Sequence, residues 1–307
     1  MTETGERHLL RGRLLIALAT VFWGGSATLA RYVFRDHHVP PLHAVEMRLV
    51  VAVLVLGAWL TLLRPGALRI ARADAGYFLL LGIFGMAAVQ GTYYHAIATL
   101  GVGLAILIQY LAPSLIVLYD LARHRRVLPS TLAGVAIALL GTALLIGDVD
   151  RVALSARPLD WAVGFGSALA FAFYIVFSKR GLARYPPETV LFYTLLIAAV
   201  FWTIAVPPAR ILGAGHGPGI WAAFAALGIL NTLVPFALFY AGLRQLTATQ
   251  AGVMATLEPV VAVLAAAAFL DEGLRPLQWL GAAGVLTASI LATRRRPEVL
   301  EAQAERG

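Results

Sequence analysis

PPLHAVEMRLVVAVLVL, from Pro40 to Leu56, and PPETVLFYTLLIAAVFW, from Pro186 to Trp202, decide the architecture. Each opens on a proline pair and runs into an apolar stretch. The likeness extends beyond them. Tyr94 and Pro113 are 19 residues apart, as are Tyr240 and Pro259, and both Pro41 to Pro113 and Pro187 to Pro259 measure 72. Gly134 and Gly281 keep nearly the same offset, and an Ala-Leu-Ala triplet recurs at 17–19 and 168–170. Self-similarity at one fixed period marks an internal duplication. Helices rich in Ala, Leu and Val resemble one another by composition, but composition does not set prolines at matching spacings.

Working outward from these segments, the chain divides into ten apolar runs of the length that crosses a bilayer, about 20 residues each. They are Leu14–Phe34, His43–Leu63, Ala75–Ile97, Gly101–Leu121, Leu128–Ile146, Trp161–Ser178, Glu188–Val206, Ile220–Tyr240, Thr247–Phe269 and Leu277–Ala292. Clusters of Pro, Gly or Arg separate nearly every pair; the weakest divide is Thr99 to Gly101. The first run lacks a following small-x-small cleavage site and is read as a retained helix, not a signal peptide. Each half then holds five spans. Two similar halves joined in series, each crossing an odd number of times, must enter the membrane in opposite orientations. The expected fold is an all-α integral membrane protein, ten transmembrane helices in two inverted five-helix repeats around a central cavity. The first repeat takes residues 1–147, a periplasmic linker 148–160, the second repeat 161–293 and a cytoplasmic tail 294–307. Such repeats place a substrate site near the midplane, where alternating access operates.

Composition agrees. Of 307 residues 60% are hydrophobic and 13% charged, with a mean hydropathy of +0.81. Ordinary globular proteins carry about 25% charged residues, and a soluble fold of this size could not hide so much apolar surface. The formal charge of +8 comes from short basic clusters between apolar runs, so nucleic acid is not the expected partner. Seventeen of the 24 Lys and Arg residues fall on one side of the ten-span topology and six on the other. By the positive-inside rule both termini are cytoplasmic. The absence of cysteine excludes disulfides and thiolate metal ligands.

Polar residues inside the spans are few and informative, because a charge near the bilayer centre costs at least about 2.5 kcal/mol. Glu258 sits mid-span beside Pro259, which removes a backbone donor and frees the Ala255 carbonyl. A carboxyl at a broken helix suits the wall of a cavity, where it carries a proton or meets a cationic group; the alternative is a tie between helices. Arg48 lies in the outer third of its span. Glu46, two residues away, does not share its face, so Arg48 is read as a structural tie to a neighbouring helix or loop, with snorkelling as the plainer alternative. Gln90 and Tyr94 are four apart and share a face. Trp23, Gln109, Tyr110, Tyr174 and Asn231 lie at mid-depth and complete the expected substrate cavity. Gly24 and Gly25 allow close approach of helices; with Pro113 and Pro259 they are read as structural or hinge positions. His95 is expected at the interface. No metal-ligand cluster, GxSxG context or phosphate-binding loop occurs, so no enzyme activity, metal or cofactor is expected.

The stretch ATLEPVVAVLAAAAFLDEGLRPLQWLGAAG, from Ala255 to Gly284, resembles the EamA-type transporters of the drug/metabolite transporter superfamily through Glu258, Pro259, Glu272, Gln278 and Gly281. Trp23-Gly24, Arg48 and Pro113 look like first-repeat counterparts; Asp271 stands where that family usually has glycine. The resemblance covers essentially the whole chain. It implies ten helices, two inverted repeats and efflux of small metabolites such as amino acids, amines or drugs. The expected partners are a small-molecule substrate, the lipid bilayer and protons as a coupling ion, while the oligomeric state is not legible. The leading cargo is an amino acid or a related amphipathic compound. The rivals are a nucleotide-sugar or sugar-phosphate exchanger of the same superfamily, which would favour basic residues where Glu258 stands, and a channel or non-transporting scaffold.

Overall fold

The computed structural model describes residues 3–26, 29, 33, 37, 39–125, 127–147, 155–269 and 275–293. The described residues are helical, without a β-strand among them. In chain order the long segments are α1 (Glu3–Gly25), α2 (Pro41–Leu63), α3 (Arg72–Leu100), α4a (Val102–Gln109), α4b (Ala112–Ala122), α5 (Pro129–Ile146) and α6 (Pro158–Gly181). They continue as α7 (Pro187–Ala205), α8 (Pro218–Leu243), α9a (Ala248–Ala255), α9b (Leu257–Phe269) and α10 (Pro276–Ala292). Eight stretches are long and apolar enough to cross a membrane, with α4a–α4b and α9a–α9b each counting as one. Two of the ten expected spans fall short of that measure. Helix α1 begins earlier than expected, through Arg7, Arg11 and Arg13, and ends at Gly25; Phe34, where the first span was expected to end, lies outside the described residues. Helix α10 has 17 residues. Asp271, Glu272, the 148–154 part of the linker and the tail from 294 also lie outside the described residues.

Prolines set most of the starts. α2, α5, α6, α7, α8 and α10 each have proline at the first helical position. There its missing N–H is one the helix would not use, and its fixed φ already suits the helix. Gly101 makes the narrow divide between α3 and α4a. Its φ of 85° belongs to a region open to glycine, so one residue turns the chain.

The spans are less regular than hydropathy implies, and the irregularities repeat. α3 widens into a π-helical stretch at Leu81–Ala87 and α8 at Leu227–Leu233, an offset of 146 at both ends. The ninth span is broken, as the proline beside Glu258 leads one to expect, and so is the fourth, where no break was expected. α4a stops at Gln109, α4b starts at Ala112, and Pro113 follows. α9a stops at Ala255 and α9b starts at Leu257, two residues before Pro259. Each break is stitched by a tightened hydrogen bond, Leu111 N–H to Ile108 C=O at 3.0 Å and Thr256 N–H to Val253 C=O at 3.1 Å. Proline cannot donate to the carbonyl four residues back, so the ladder tightens or opens there.

Helix packing also repeats. α1 packs on α8 and on both parts of α9, while α6 packs on α3 and on both parts of α4. α2 meets the π stretch of α8, and α7 meets that of α3. Gly82 lies against Ile197, and Gly228 against Val51, the same pair with the halves exchanged. Helices α5 and α10 are themselves counterparts and run antiparallel: Gly134 near the start of α5 abuts Ala292 at the end of α10, and Gly281 near the start of α10 abuts Leu145. One large apolar core joins the helices, with Tyr174, Phe224, Phe239 and Tyr240 among its fully buried side chains. Outside it, Leu62, Leu140, Leu159, Ile204 and Leu280 stand exposed. Apolar patches of that extent need another apolar phase, here the lipid tails.

Candidate functional site

A polar seam crosses four helices near the middle of the bundle. On α2, Arg48 donates through Nη1 to Asn231 Oδ1 on α8 at 2.6 Å and through Nη2 to Gln90 Oε1 on α3. Asn231 Nδ2 donates to Ser26 Oγ, whose hydroxyl donates to the Trp23 carbonyl at 2.8 Å as the chain leaves α1. The Arg48 guanidinium also stands over the Tyr94 ring, 5.2 Å from its centroid. Gln90 and Tyr94 thus reach one partner from one face of α3, as their four-residue spacing requires. Asn231 sits within the π stretch of α8, an irregularity that recurs at functional sites. Arg48 is 6% exposed, so it does not snorkel, and its two hydrogen bonds run from α2 to α3 and α8. Glu46 is buried apart from it, facing Thr203.

A second polar pair lies where the two helix breaks meet. The Tyr110 hydroxyl, at the α4 break, donates to Glu258 Oε2 at 2.8 Å. Glu258 occupies the first turn of α9b, where the unpaired N–H groups of a helix start favour a carboxylate. Its side chain is half-buried and lies within electrostatic reach of Arg48, with no ion pair between them. Tyr93, which the sequence did not single out, feels both Arg48 and Glu258 and contacts Tyr94 edge-on.

Aromatic rings connect the two polar groups. Tyr110 meets Phe171, Phe171 stacks on Tyr174, Tyr174 meets Phe236 edge-on, and Phe236 meets Trp23 at 5.1 Å. Trp23 is half-buried, whereas Tyr174 is 1% exposed and packs in the core between Phe171, Phe236, Phe239 and Tyr240. Gln109 is buried at the end of α4a, and no hydrogen bond links its side chain to the others among the described residues. Phe236 is the position that an offset of 146 assigns to Gln90, so the duplication itself was the signal for it. For Tyr93 the signal was only adjacency to Tyr94.

The glycines of the α1 end behave differently. A Cβ on Gly24 would lie 2.8 Å from the Glu258 carbonyl oxygen and the Ala262 amide nitrogen, so α1 touches α9b at its break; one on Gly25 would meet nothing within 4 Å. His95 holds Asp160 at 3.0 Å, joining the end of α3 to the first turn of α6. Separately, a cleft of 470 Å³ opens where α5 ends and α10 begins, lined by Ala143, Leu144, Ile146, Gly147, Arg275, Leu277 and Gln278. It includes none of the residues of the seam. No group of three metal-ligating side chains occurs among the described residues.

Known proteins resemble this chain over nearly its whole length. The threonine/homoserine exporter RhtA of Escherichia coli (strain K12) is 28% identical over 297 residues, 94% of this chain and 93% of that protein. The uncharacterized inner membrane transporter YicL of Salmonella typhimurium is 27% identical over 303 residues, 93% and 97% of the two chains. A solved crystal structure superposes with a TM-score of 0.74 at 22% identity, over 92% of this chain and 97% of the other, which shows a shared fold. The profile of the EamA-like transporter family matches twice, at residues 10–147 and 161–294. The helical, apolar bundle with its polar seam is a membrane transporter of small metabolites, not an enzyme, and the chain belongs to the EamA-like transporter family.

Proposed function

We propose that this protein exports a small amino acid or a related amphipathic compound across a bacterial inner membrane, by alternating access at a midplane site between two inverted five-helix repeats. The observation that carries the reading is the meeting of two proline-broken helices at Tyr110 and Glu258, beside the seam of Arg48, Gln90 and Asn231. Broken helices at mid-depth offer polar groups to a solute where lipid-facing backbone could not. The antiparallel α5–α10 pair and the exchange of contacts between halves support inversion. The exporter of threonine and homoserine to which the chain is similar along its length supports the cargo class. Helices α1 and α10 complete ten crossings in this reading, with both termini cytoplasmic. Trp23, Tyr94 and Tyr110 offer aromatic surface, Gln90, Gln109 and Asn231 hydrogen-bond polar ends, Glu258 meets the ammonium or carries a proton, and Tyr174, expected in the cavity wall, packs in the core behind it.

The test is purified protein in liposomes, assayed for counterflow of threonine, homoserine and a panel of amines and nucleosides, with and without a pH gradient. Saturable threonine or homoserine flux is expected. The same flux at every pH for Glu258→Gln would remove Glu258 as a proton carrier, and no amino acid flux at all would remove the cargo assignment.

A further inference from the structure

Resting on the amino acid reading above, we infer that Arg48 binds the carboxylate of the transported amino acid while Glu258 receives its ammonium, so that the site recognises a zwitterion. A guanidinium carries five N–H donors. In Arg48 the two side-chain acceptors in reach are the amide oxygens of Gln90 and Asn231, and its Nε–H is buried without an acceptor. Its hydrogen-bond partners are thus neutral, although the side chain is 6% exposed and lies in a membrane span.

A purely structural arginine in such a place would be expected to face a carboxylate, because an uncompensated charge in a low-dielectric interior is strongly destabilising. Glu258 is the acid that feels this charge, yet its oxygen goes to Tyr110 and no ion pair closes between the two. Gln90 and Asn231 therefore act as a cradle. They fix the plane of the guanidinium and consume one donor from each Nη, while the buried Nε–H is left without an acceptor. A carboxylate matches a guanidinium edge bidentately, a geometry that lysine cannot supply.

The opposite charge stands within electrostatic reach of the guanidinium. Glu258 is half-buried, with Tyr93 within electrostatic reach of it and of Arg48. An α-amino acid presents carboxylate and ammonium a few bonds apart and bridges two such groups that do not reach each other. Trp23 and Tyr94 supply aromatic surface on the α1 and α3 sides. The repeat-related position of Arg48 is Thr194, buried and hydrogen-bonded at 3.4 Å to the hydroxyl of Tyr240, the counterpart of Tyr94. A merely architectural need at this position is thus met without charge in the other half. The charge belongs to one half, as a ligand contact would.

The test uses the full-length protein in liposomes with three ligands: L-threonine, 1-amino-2-propanol, which lacks the carboxylate, and 3-hydroxybutanoate, which lacks the amine. Each is scored as a competitor of threonine counterflow. With wild-type protein, threonine is expected to compete at least about tenfold better than either truncated ligand. Arg48→Gln is expected to raise the threonine KM at least about tenfold and leave competition by the amine unchanged. Glu258→Gln is expected to do the reverse, sparing the acid. Arg48→Lys keeps the charge and guards against a folding defect. It is expected to keep the wild-type elution profile in detergent while losing most threonine affinity. An unchanged threonine KM in Arg48→Gln, or equal loss for threonine and amine, would overturn the inference and make Arg48 a strut. If wild-type protein moves no amino acid, the functional reading itself fails and this assignment falls with it.

Discussion

A Cβ placed on Gly24 would come within 2.8 Å of backbone atoms of Glu258 and Ala262, whereas one on Gly25 would meet nothing within 4 Å. Backbone cannot swing aside as a flexible side chain can, so Gly24→Ala must push α1 away from the start of α9b. Overpacking of this kind costs typically about 1–3 kcal/mol. Thermal unfolding in detergent is expected to register that loss for Gly24→Ala and almost none for Gly25→Ala; equal effects would show that the α1–α9b contact is not tight. The two glycines are indistinguishable in the sequence, because what separates them lies on a helix more than 230 residues away. The same limit governs the seam. The shared face of Gln90 and Tyr94 is legible from spacing on one helix, but Arg48 meets Asn231 across 183 residues of chain. A single sequence can show that Arg48 lies in a span; its burial and its partners belong to the packing of other helices.

At the scale of the element, prolines mattered in two ways and only one was fully legible. As first residues of α2, α5, α6, α7, α8 and α10 they set helix starts within a few residues of those expected from hydropathy. Inside the ninth span Pro259 marked a broken helix, and inside the fourth Pro113 was visible only as a hinge, so the full break at Tyr110–Leu111 was not legible. The π stretches of α3 and α8 left no mark in hydropathy, since one extra residue per turn changes the register of a helix and not its composition. Pro259→Ala returns an N–H that reaches back towards the Ala255 carbonyl, and Pro113→Ala does the same towards Gln109. Both prolines sit in the first turn of the helix that follows the break, where proline is tolerated, so both substitutions are expected to hold thermal stability. Straightening also draws Tyr110 and Glu258 out of contact, and transport is expected to fall at least about tenfold, read as initial counterflow at saturating substrate. Full transport in both variants would show that the breaks are incidental to the cycle.

For the whole molecule, the decisive property is the relation between the halves. The repeated π stretches, repeated breaks and exchanged contacts all follow from one duplication, and the sequence already carried it in the spacing of Pro41, Pro113, Pro187 and Pro259. Orientation is the harder matter, because hydropathy alone is blind to direction. Inversion is supported by the antiparallel pairing of α5 with α10, the two counterparts that touch directly, and follows from five crossings per half if α1 and α10 also cross, as proposed. It makes a demand that parallel repeats would not. Residues 146 apart must emerge on opposite sides of the membrane. Arg64, at the end of α2, and Arg210, just beyond the end of α7, are such a pair; the chain has no cysteine of its own, so single cysteines report without background. In intact cells a membrane-impermeant maleimide is expected to label Arg210→Cys and to spare Arg64→Cys until the cells are opened. Labelling of both from one side would leave the duplication standing but turn the repeats parallel. The midplane site would then lose the symmetry by which one pocket can be offered to either face in turn.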